Sequence, residues 1–283
     1  MSGRLLDGRV LASHLRRELQ HRVERLRPTA DDPGPTLAIL VDGSSDAAAI
    51  YASGLERAAR SVGVGTRLLT LGRESDAEAT IDELNADPQA AGIVIAQPFA
   101  DVAAGRRLVE RIDPTRDVDG ATPTNAGRLA RGEPAFVPAT ALAVIALLEA
   151  NGVEVAGRRA VIVGRSAVVG RPVASLLLAR DATVVICHRA TRNLARETRR
   201  AELLIAAAGV PNLIRPEMVN RSATIVDCGI NATDAGIVGD VNFAAVAPIV
   251  QAISPVPGGV GPVTPMMVLR QTVESAERQR LSR

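Results

Sequence analysis

A glycine-bearing turn stands between an apolar run and a helix-like pattern in AVIVGRSAVVGRP (160–172). Backbone N–H groups in such a turn, together with the N-terminus of the following helix, can hold the phosphates of a dinucleotide. The glycines are spaced G-x5-G, from Gly164 to Gly170, and not as G-x-G-x-x-G. A tight strand-to-helix connection that simply needs small residues would have the same pattern.

Arginines at the end of the next apolar run bear on which dinucleotide would fit. In NAD-specific sites an acid after the second strand binds the ribose 2′-hydroxyl. Here the run ends in CHRATRN (187–193), which contains Arg189 and Arg192 but no acid. Together with Arg165 these residues suit a 2′-phosphate, so the sequence favours NADP over NAD. Solvated surface arginines would give the same pattern.

Two further loops contain groups suited to a small ligand. DVDG (117–120) supplies Asp119, whose carboxylate could accept two hydrogen bonds from an amino-heterocycle or could close an Asx-turn. SPVPGGVGPVT (254–264) is a Pro/Gly loop in which the backbone could come close to a ligand, or a plain tight connection. Neither loop identifies a ligand by itself.

Strand-like and helix-like patterns alternate along the chain and would position these loops. In the first half, apolar runs at 36–43, 66–72 and 92–97 are separated by helical patterns at 46–61 and 76–87. This βαβαβ order predicts a parallel sheet with helices on both faces.

The alternation resumes after a stretch at 113–138 that is rich in Pro, Gly, Asp and Asn and is predicted to be loop-like. It predicts an α/β fold of two domains, residues 1–140 and 141–283, with the change of domain near 138–150. The last helix is expected to pack back on the first domain. The remaining predicted helices cover 7–27, 139–150, 170–179 and 262–280, and the remaining strands cover 158–166, 183–188, 202–209 and 223–229.

Composition limits the classes of function. All 33 basic residues are Arg, so no side chain can act as a neutral amine base or form a Schiff base. The net charge is +2 with scattered charges, which indicates no nucleic-acid stripe, and no apolar run reaches the ~18 residues of a membrane span. Cys187 and Cys228 lack metal-ligand spacing, which predicts no metal site, and they fit a reducing cytoplasm.

Several motifs together carry a resemblance to one enzyme family. In chain order they are DVDG, GRSAVVGRPVASLLL, ICH, DCGIN, VGDV and PVPGGVGPVT. The chain resembles the methylenetetrahydrofolate dehydrogenase/cyclohydrolase (FolD-type) family over nearly its whole length, from LLDGRVLA onward. The resemblance implies an N-terminal α/β substrate domain, a C-terminal Rossmann-type NADP-binding domain, a folate cleft between them, and a homodimer.

The resemblance also assigns roles to residues. Tyr51, the only tyrosine, stands where the family has a tyrosine that stacks on the p-aminobenzoyl ring of the folate. The substrate-binding residues that it implies are Tyr51, Asp119, Pro257, Gly258 and Gly259. The cofactor-binding residues that it implies are Gly164, Arg165, Ser166, Gly170, His188, Arg189, Arg192 and Ile230.

The family's proton-handling residues are missing. Where the family resembles S-x-x-Y-V-x-x-K, the serine position is Ala48 and the lysine position is Leu55. Where it has V-Q-L-P-L-P, Pro98 anchors the match and the glutamine position is Ala96. Gln97 is adjacent, but on a strand its side chain points to the opposite face.

Three hypotheses follow for the function. The first is a dehydrogenase that oxidises a methylenetetrahydrofolate-type substrate to the methenyl form with NADP, and whose cyclohydrolase activity is lost or very weak. The second is a family member repurposed for another substrate, which an apolar pocket around Leu55, Ala48 and Ala96 would favour. The third is a non-catalytic protein that binds a nucleotide or pterin.

Overall fold

The computed structural model of the protein describes residues 3–27, 34–72, 74–234 and 236–281. No helix in these ranges has both the length and the apolar character needed to cross a membrane. The helices are α1 (Gly8–Arg25), α2 (Asp46–Val62), α3 (Glu74–Ala86), α4 (Val102–Arg111), α5 (Pro123–Ala130), α6 (Ala139–Ala150), α7 (Gly170–Leu178), α8 (Leu194–Thr198), α9 (Phe243–Val246) and α10 (Val260–Leu281). The strands are β1 (Arg4–Leu5), β2 (Thr36–Asp42), β3 (Gly65–Leu71), β4 (Ala90–Ala96), β5 (Arg159–Val163), β6 (Thr183–Cys187), β7 (Leu203–Ala206), β8 (Thr224–Asp227), β9 (Asn231–Thr233), β10 (Gly236–Val238) and β11 (Ala252–Ile253).

The chain divides into two compact units. Unit 1 comprises Met1–Ala12 and Pro138–Thr264, and unit 2 comprises Ser13–Val137 and Pro265–Arg283. The boundary at 137/138 lies at the start of the predicted range for the change of domain. The first 12 residues differ from the expected division, since they group with the C-terminal half and not with the rest of 1–140.

Unit 1 is built on a six-stranded parallel sheet in the order β1-β11-β8-β7-β5-β6. Its β1 pairs with β11, and the Leu6 N–H donates to the Ile253 carbonyl at 2.9 Å. This pairing is the physical reason why the first residues belong to this unit. The strand order reverses at β5, which has β6 on one side and β7 on the other, so the loops that follow these strands diverge there.

Unit 2 has a parallel sheet in the order β3-β2-β4. Every residue of β4 is buried, as the continuous apolar run predicts for a strand that is covered on both faces. Ile93 of β4 forms an isolated parallel bridge with Asp117, which brings the DVDG loop next to the sheet.

Helix α2 is defined at both ends by its sequence. Ser45 caps the N-terminus by accepting the Ala48 N–H at 3.3 Å, and Gly63 ends the helix in the left-handed region at φ 82°. Its buried face consists of Ala48, Ala52, Leu55, Ala59 and Val62, which recur at helical spacing.

The part of α10 that begins at Pro265 belongs to unit 2, where the buried side chain of Gln271 pairs three backbone groups. Its Oε1 accepts the Val137 N–H at 2.9 Å. Its Nε2 donates to the carbonyls of Val118 at 2.7 Å and Val137 at 2.9 Å. The side-chain amide of Gln271 therefore links the DVDG loop, at Val118, to Val137, where this segment of unit 2 ends.

Four helices, α4, α5, α8 and α9, lie outside the predicted helical ranges, and the last two have only five and four residues. The 113–138 stretch contains α5, in which Thr122 accepts the Asn125 N–H at 3.3 Å and Pro123 occupies the first turn. Its only buried residue is Asn125, so the apolar periodicity that predicts helices is absent. Helix α4 follows an Asp101 N-cap and was missed because it lies between two Pro-containing segments.

Candidate active site

The turn between β5 and α7 depends on its two glycines. Gly164 has φ 131°, and a Cβ added there would overlap the carbonyl oxygen of Ala207 at the end of β7. A Cβ on Gly170 would overlap the carbonyl oxygen of Gly164. Ser166 Oγ accepts the Val169 N–H at 3.1 Å, so the predicted phosphate turn closes on itself just before α7.

A cleft of about 520 Å³ opens at the carboxyl ends of β5, β6 and β7 in unit 1. This is the point at which the strand order reverses, where open parallel sheets bind their ligands. The cleft brings together five of the predicted cofactor residues, namely Gly164, Arg165, Ser166, His188 and Arg189.

The other three predicted cofactor residues lie elsewhere. Gly170 is the buried first residue of α7, and its lack of a side chain allows the close approach of the Gly164 carbonyl in the turn. Arg192 is exposed three residues after Arg189, outside the lining of the cleft. Ile230 is 73% exposed and also lies outside the lining.

His188 is held by the loop that follows β6. Its backbone N–H donates to Thr191 Oγ1 at 2.9 Å, and its ring Nδ1 accepts the Ala190 N–H at 3.2 Å. A neutral ring with Nδ1 as acceptor carries its proton on Nε2, which leaves one N–H free to donate to a ligand.

About half of the cleft wall is made by residues that the sequence does not single out. Ala207, Ala208, Val210 and Leu213 follow β7, while Thr191 lies in the loop after β6 and Leu194 begins α8. Most of these side chains are small and apolar and carry no chemical signature. The only signal that could have found them is their position just after predicted strands of one parallel sheet.

In unit 2, Asp117 and Asp119 of the DVDG loop have different roles. Asp117 is buried and accepts N–H groups from Ala121 at 3.0 Å, Thr122 at 2.8 Å and the Asn125 side chain at 2.9 Å. It therefore shapes the loop, whereas Asp119 is half-buried in the same loop.

Tyr51 lies on α2, half-buried and within electrostatic reach of Asp119. Burial raises the pKa of its phenol above the ordinary 10.0, and the charge of Asp119 raises it further. The structure thus brings together the two unit 2 residues that were predicted to bind substrate.

The predicted substrate loop of unit 1 is held by the N-terminal segment. The buried Gly258 has φ 120°, and its carbonyl accepts the Gly8 N–H at 2.8 Å. The Gly259 N–H donates to Pro255 O at 2.7 Å, while Pro257 is exposed. These bonds fix the loop backbone in a form that only glycine adopts readily.

The three positions that depart from the family pattern are buried in unit 2. Leu55 is 1% exposed, and Ala48 and Ala96 are each 0% exposed. All three side chains therefore pack among the buried residues of unit 2. Gln97 is exposed, and its Oε1 accepts the Phe99 N–H at 3.2 Å, so its side chain is bonded to its own loop.

The fold and the cleft define a class of protein: an α/β chain with a dinucleotide-type cleft at the switch point of one parallel sheet and a second α/β unit. Residues 6–119 match the family model "Tetrahydrofolate dehydrogenase/cyclohydrolase, catalytic domain", and residues 138–280 match "Tetrahydrofolate dehydrogenase/cyclohydrolase, NAD(P)-binding domain". The chain belongs to the tetrahydrofolate dehydrogenase/cyclohydrolase family. The predicted family, fold class and nicotinamide cofactor are therefore confirmed.

Relatives match along the whole chain. "Bifunctional protein FolD" of Parafrankia sp. (strain EAN1pec) is 46% identical over 274 residues, which cover 96% of this chain and 99% of that protein. The crystal structure of the bifunctional enzyme FolD from Campylobacter jejuni has a TM-score of 0.93 at 38% identity and covers 97% of this chain and 98% of that one. The Trypanosoma brucei enzyme, complexed with NADP cofactor and inhibitor, has a TM-score of 0.92 at 32% identity, with 98% of each chain covered.

The titration of Tyr51 tests its environment directly, because the chain has one Tyr and no Trp. We expect the ultraviolet absorbance of the phenolate to stay low about one pH unit above 10.0 while the protein remains folded. The native state keeps this proton when the unfolded state has lost it, so the free energy of unfolding should fall as pH rises above 10.0.

The Asp119→Asn variant serves as the matched control for the same titration. Removing the carboxylate should move the midpoint down towards the ordinary value, while burial keeps part of the shift. A folded protein whose phenol titrates near 10.0 would contradict the burial of Tyr51 beside Asp119.

Proposed function

We propose that the chain oxidises a methylenetetrahydrofolate-type substrate to the methenyl form with NADP, and that its hydrolytic step is lost or very weak. One observation carries the second part: the lysine and glutamine positions of the family pattern hold Leu55 and Ala96, both of them buried. The predicted ligand residues, Tyr51 and Asp119 in unit 2 and the glycine turn in unit 1, are retained.

Oxidation needs little proton chemistry from the protein. Hydride leaves a carbon that lies between two nitrogens, and the product is a delocalised amidinium. The nicotinamide cofactor, when bound, supplies the hydride acceptor. The chain then has only to bind and orient the substrate, and Tyr51 and Asp119 suit this role through a ring face and a carboxylate.

Hydrolysis of the amidinium makes different demands. Water must lose a proton as it attacks, and a ring nitrogen must gain one as it leaves, which is general acid–base catalysis. Neither Leu55 nor Ala96 has an ionisable or hydrogen-bonding side chain. Gln97, the nearest candidate for replacement, is exposed and bonded to the Phe99 N–H.

Three other polar side chains in the described part of unit 2 are poorly suited to act as the base. Asp42 accepts the N–H groups of Ala100 at 2.7 Å and Ser44 at 2.9 Å, and these bonds lower the pKa of its carboxyl. The Tyr51 phenol has a raised pKa, which makes it a poor base near neutral pH. Arg57 is exposed, and an arginine side chain offers only hydrogen-bond donors and no acceptor.

The relatives set the context for this proposal. Proteins that are 46% and 44% identical over nearly the whole chain carry the name "Bifunctional protein FolD". The family description, "dehydrogenase/cyclohydrolase", supports the oxidation step, whereas the loss of hydrolysis rests on Leu55 and Ala96 alone. The names of these relatives do not favour repurposing for another substrate or non-catalytic binding. A homodimer and a cytoplasmic location remain predictions from the resemblance and the composition.

The choice of NADP is supported by the charges of the cleft. Arg165 and Arg189 line it, the described residues of its lining include no acid, and the Trypanosoma brucei relative was crystallised in complex with NADP. We expect Arg189→Ala to weaken NADP binding by on the order of 1.5–3 kcal/mol, the usual worth of a charge-assisted hydrogen bond. Titration calorimetry with NADP and NAD should show a much smaller effect on NAD.

Arg200→Ala is the control for that titration, because Arg200 is exposed in the same unit and lies outside the cleft. It should leave both affinities nearly unchanged. Tighter binding of NAD than of NADP by the unmodified protein would overturn the choice of cofactor.

The loss of hydrolysis predicts a product that accumulates. With methylenetetrahydrofolate and NADP, the methenyl chromophore should build up in step with NADPH and decay no faster than in buffer. Introducing Leu55→Lys together with Ala96→Gln should speed its decay by on the order of 10²-fold or more, if general acid–base catalysis is regained. Burial would lower the pKa of the new lysine, as a base requires.

A variant with Leu55→Met alone controls for changes in the core, since Met has a similar size and no ionisable group. It should leave decay of the methenyl form at the rate in buffer. Absence of NADPH formation by the unmodified protein would refute the oxidation step itself.

A further inference from the structure

We propose that Asp240 is the positioning residue of the cofactor cleft, because its buried carboxylate fixes the loop after β7 that forms one wall of the cleft. The inference rests on the cofactor cleft of the proposed function, and it is independent of whether the hydrolytic step is lost.

Three consecutive backbone N–H groups close around this one carboxylate. Asp240 Oδ2 accepts from Ala208 at 2.5 Å and Gly209 at 2.9 Å, and Oδ1 accepts from Val210 at 3.0 Å. Successive N–H groups of this kind form a concavity that binds anions. Here the anion is the carboxylate of Asp240. Gly209, the middle residue of the three donors, adopts φ 65°.

The same loop forms the wall of the cleft. Ala208 and Val210 both line it, and so does Ala207 just before them. The carbonyl of Ala207 is the group that leaves no room for a Cβ on Gly164. The position of this loop therefore sets both the shape of the wall and the spacing to the phosphate turn.

A second carboxylate holds Asp240 in place. Asp227 Oδ1 accepts the N–H groups of Asp240 at 3.0 Å and Gly229 at 2.8 Å, and its Oδ2 accepts that of Val241 at 2.9 Å. The Asn231 side chain donates to Asp240 Oδ1 at 2.9 Å. The two aspartates thus join the end of β8 to the loop after β7.

The burial of both aspartates makes their hydrogen bonds necessary. Asp240 is 0% and Asp227 3% exposed, and a buried carboxylate is costly unless hydrogen bonds satisfy it. Among the described residues, the backbone donors to the Asp240 side chain all belong to the cleft loop, so loss of this carboxylate should act first on the cleft.

The Asp240→Asn variant tests the proposal. The NH₂ group of the new asparagine cannot accept a hydrogen bond, so at least one of the three backbone N–H groups loses its partner. We expect the Kd for NADP to rise on the order of tenfold or more, as when supporting residues of a binding site are removed. Tyr51 fluorescence should report a nearly unchanged affinity for the folate. In the kinetic assay the KM for NADP should rise, whereas the KM for the folate should stay the same.

Asp117→Asn provides the matched control in unit 2. Asp117 is also buried and also accepts two backbone N–H groups and one amide N–H, but it supports the DVDG loop. Both variants should lower the denaturation midpoint, whereas only Asp240→Asn should weaken NADP. Equal losses of NADP affinity in both would show a general structural effect and overturn the proposal.

A glycine pair keeps the proposal testable if Asp240→Asn does not fold. Gly209 and Gly157 both have positive φ, at 65° and 74°, and a Cβ on either would meet open space. Gly157 precedes β5, at the end of the strand away from the cleft. Gly209→Ala should raise the Kd for NADP several-fold and Gly157→Ala should not, and the reverse would refute the inference.

The measurements also separate this inference from the proposed function. If the unmodified protein binds no NADP, the proposed function fails. If it binds NADP and Asp240→Asn binds it equally well, the cofactor assignment stands and the role of Asp240 is refuted.

Discussion

Buried side chains that pair backbone groups hold the loops on which both candidate ligand sites depend. In unit 2, Asp117 and Gln271 fix the DVDG loop from two directions, so that Asp119 is presented beside Tyr51. In unit 1, Asp240 collects three N–H groups of the loop that lines the cofactor cleft. Parallel sheets leave such loops at their carboxyl edge without ladder partners, and these residues supply the missing hydrogen bonds.

The same constraint explains how much could be predicted from the sequence. Apolar runs and helix caps are local signals, so α2, β4 and α6 were placed within two residues of their observed bounds. Helix α5 was not predicted, because its only buried residue is polar and its stability comes from capping. The support that Asp117 and Asp240 give their loops depends on contacts between segments, which spacing along the chain does not reveal.

The resemblance predicts that Leu55 stands at the lysine position of the family. In the structure its side chain lies on the buried stripe of α2 with Ala52 and Ala59. An ammonium at such a position is costly to bury, and a leucine stabilises the core by roughly 1.5–3 kcal/mol through burial. Under the proposed function, a leucine in place of the lysine keeps the helix well packed and Tyr51 in place, so that ligand binding would outlast hydrolysis.

The rate of hydrolysis of the methenyl form, measured as a function of protein concentration and without NADP, tests the central claim most directly. The substrate is then already the amidinium, so neither hydride transfer nor cofactor binding limits the result. The account predicts a rate that stays at the buffer value as protein is added, while Tyr51 fluorescence shows that the ligand is bound. A rate that rises with protein and saturates with substrate would contradict it, and would mean that another group has taken over the proton transfers.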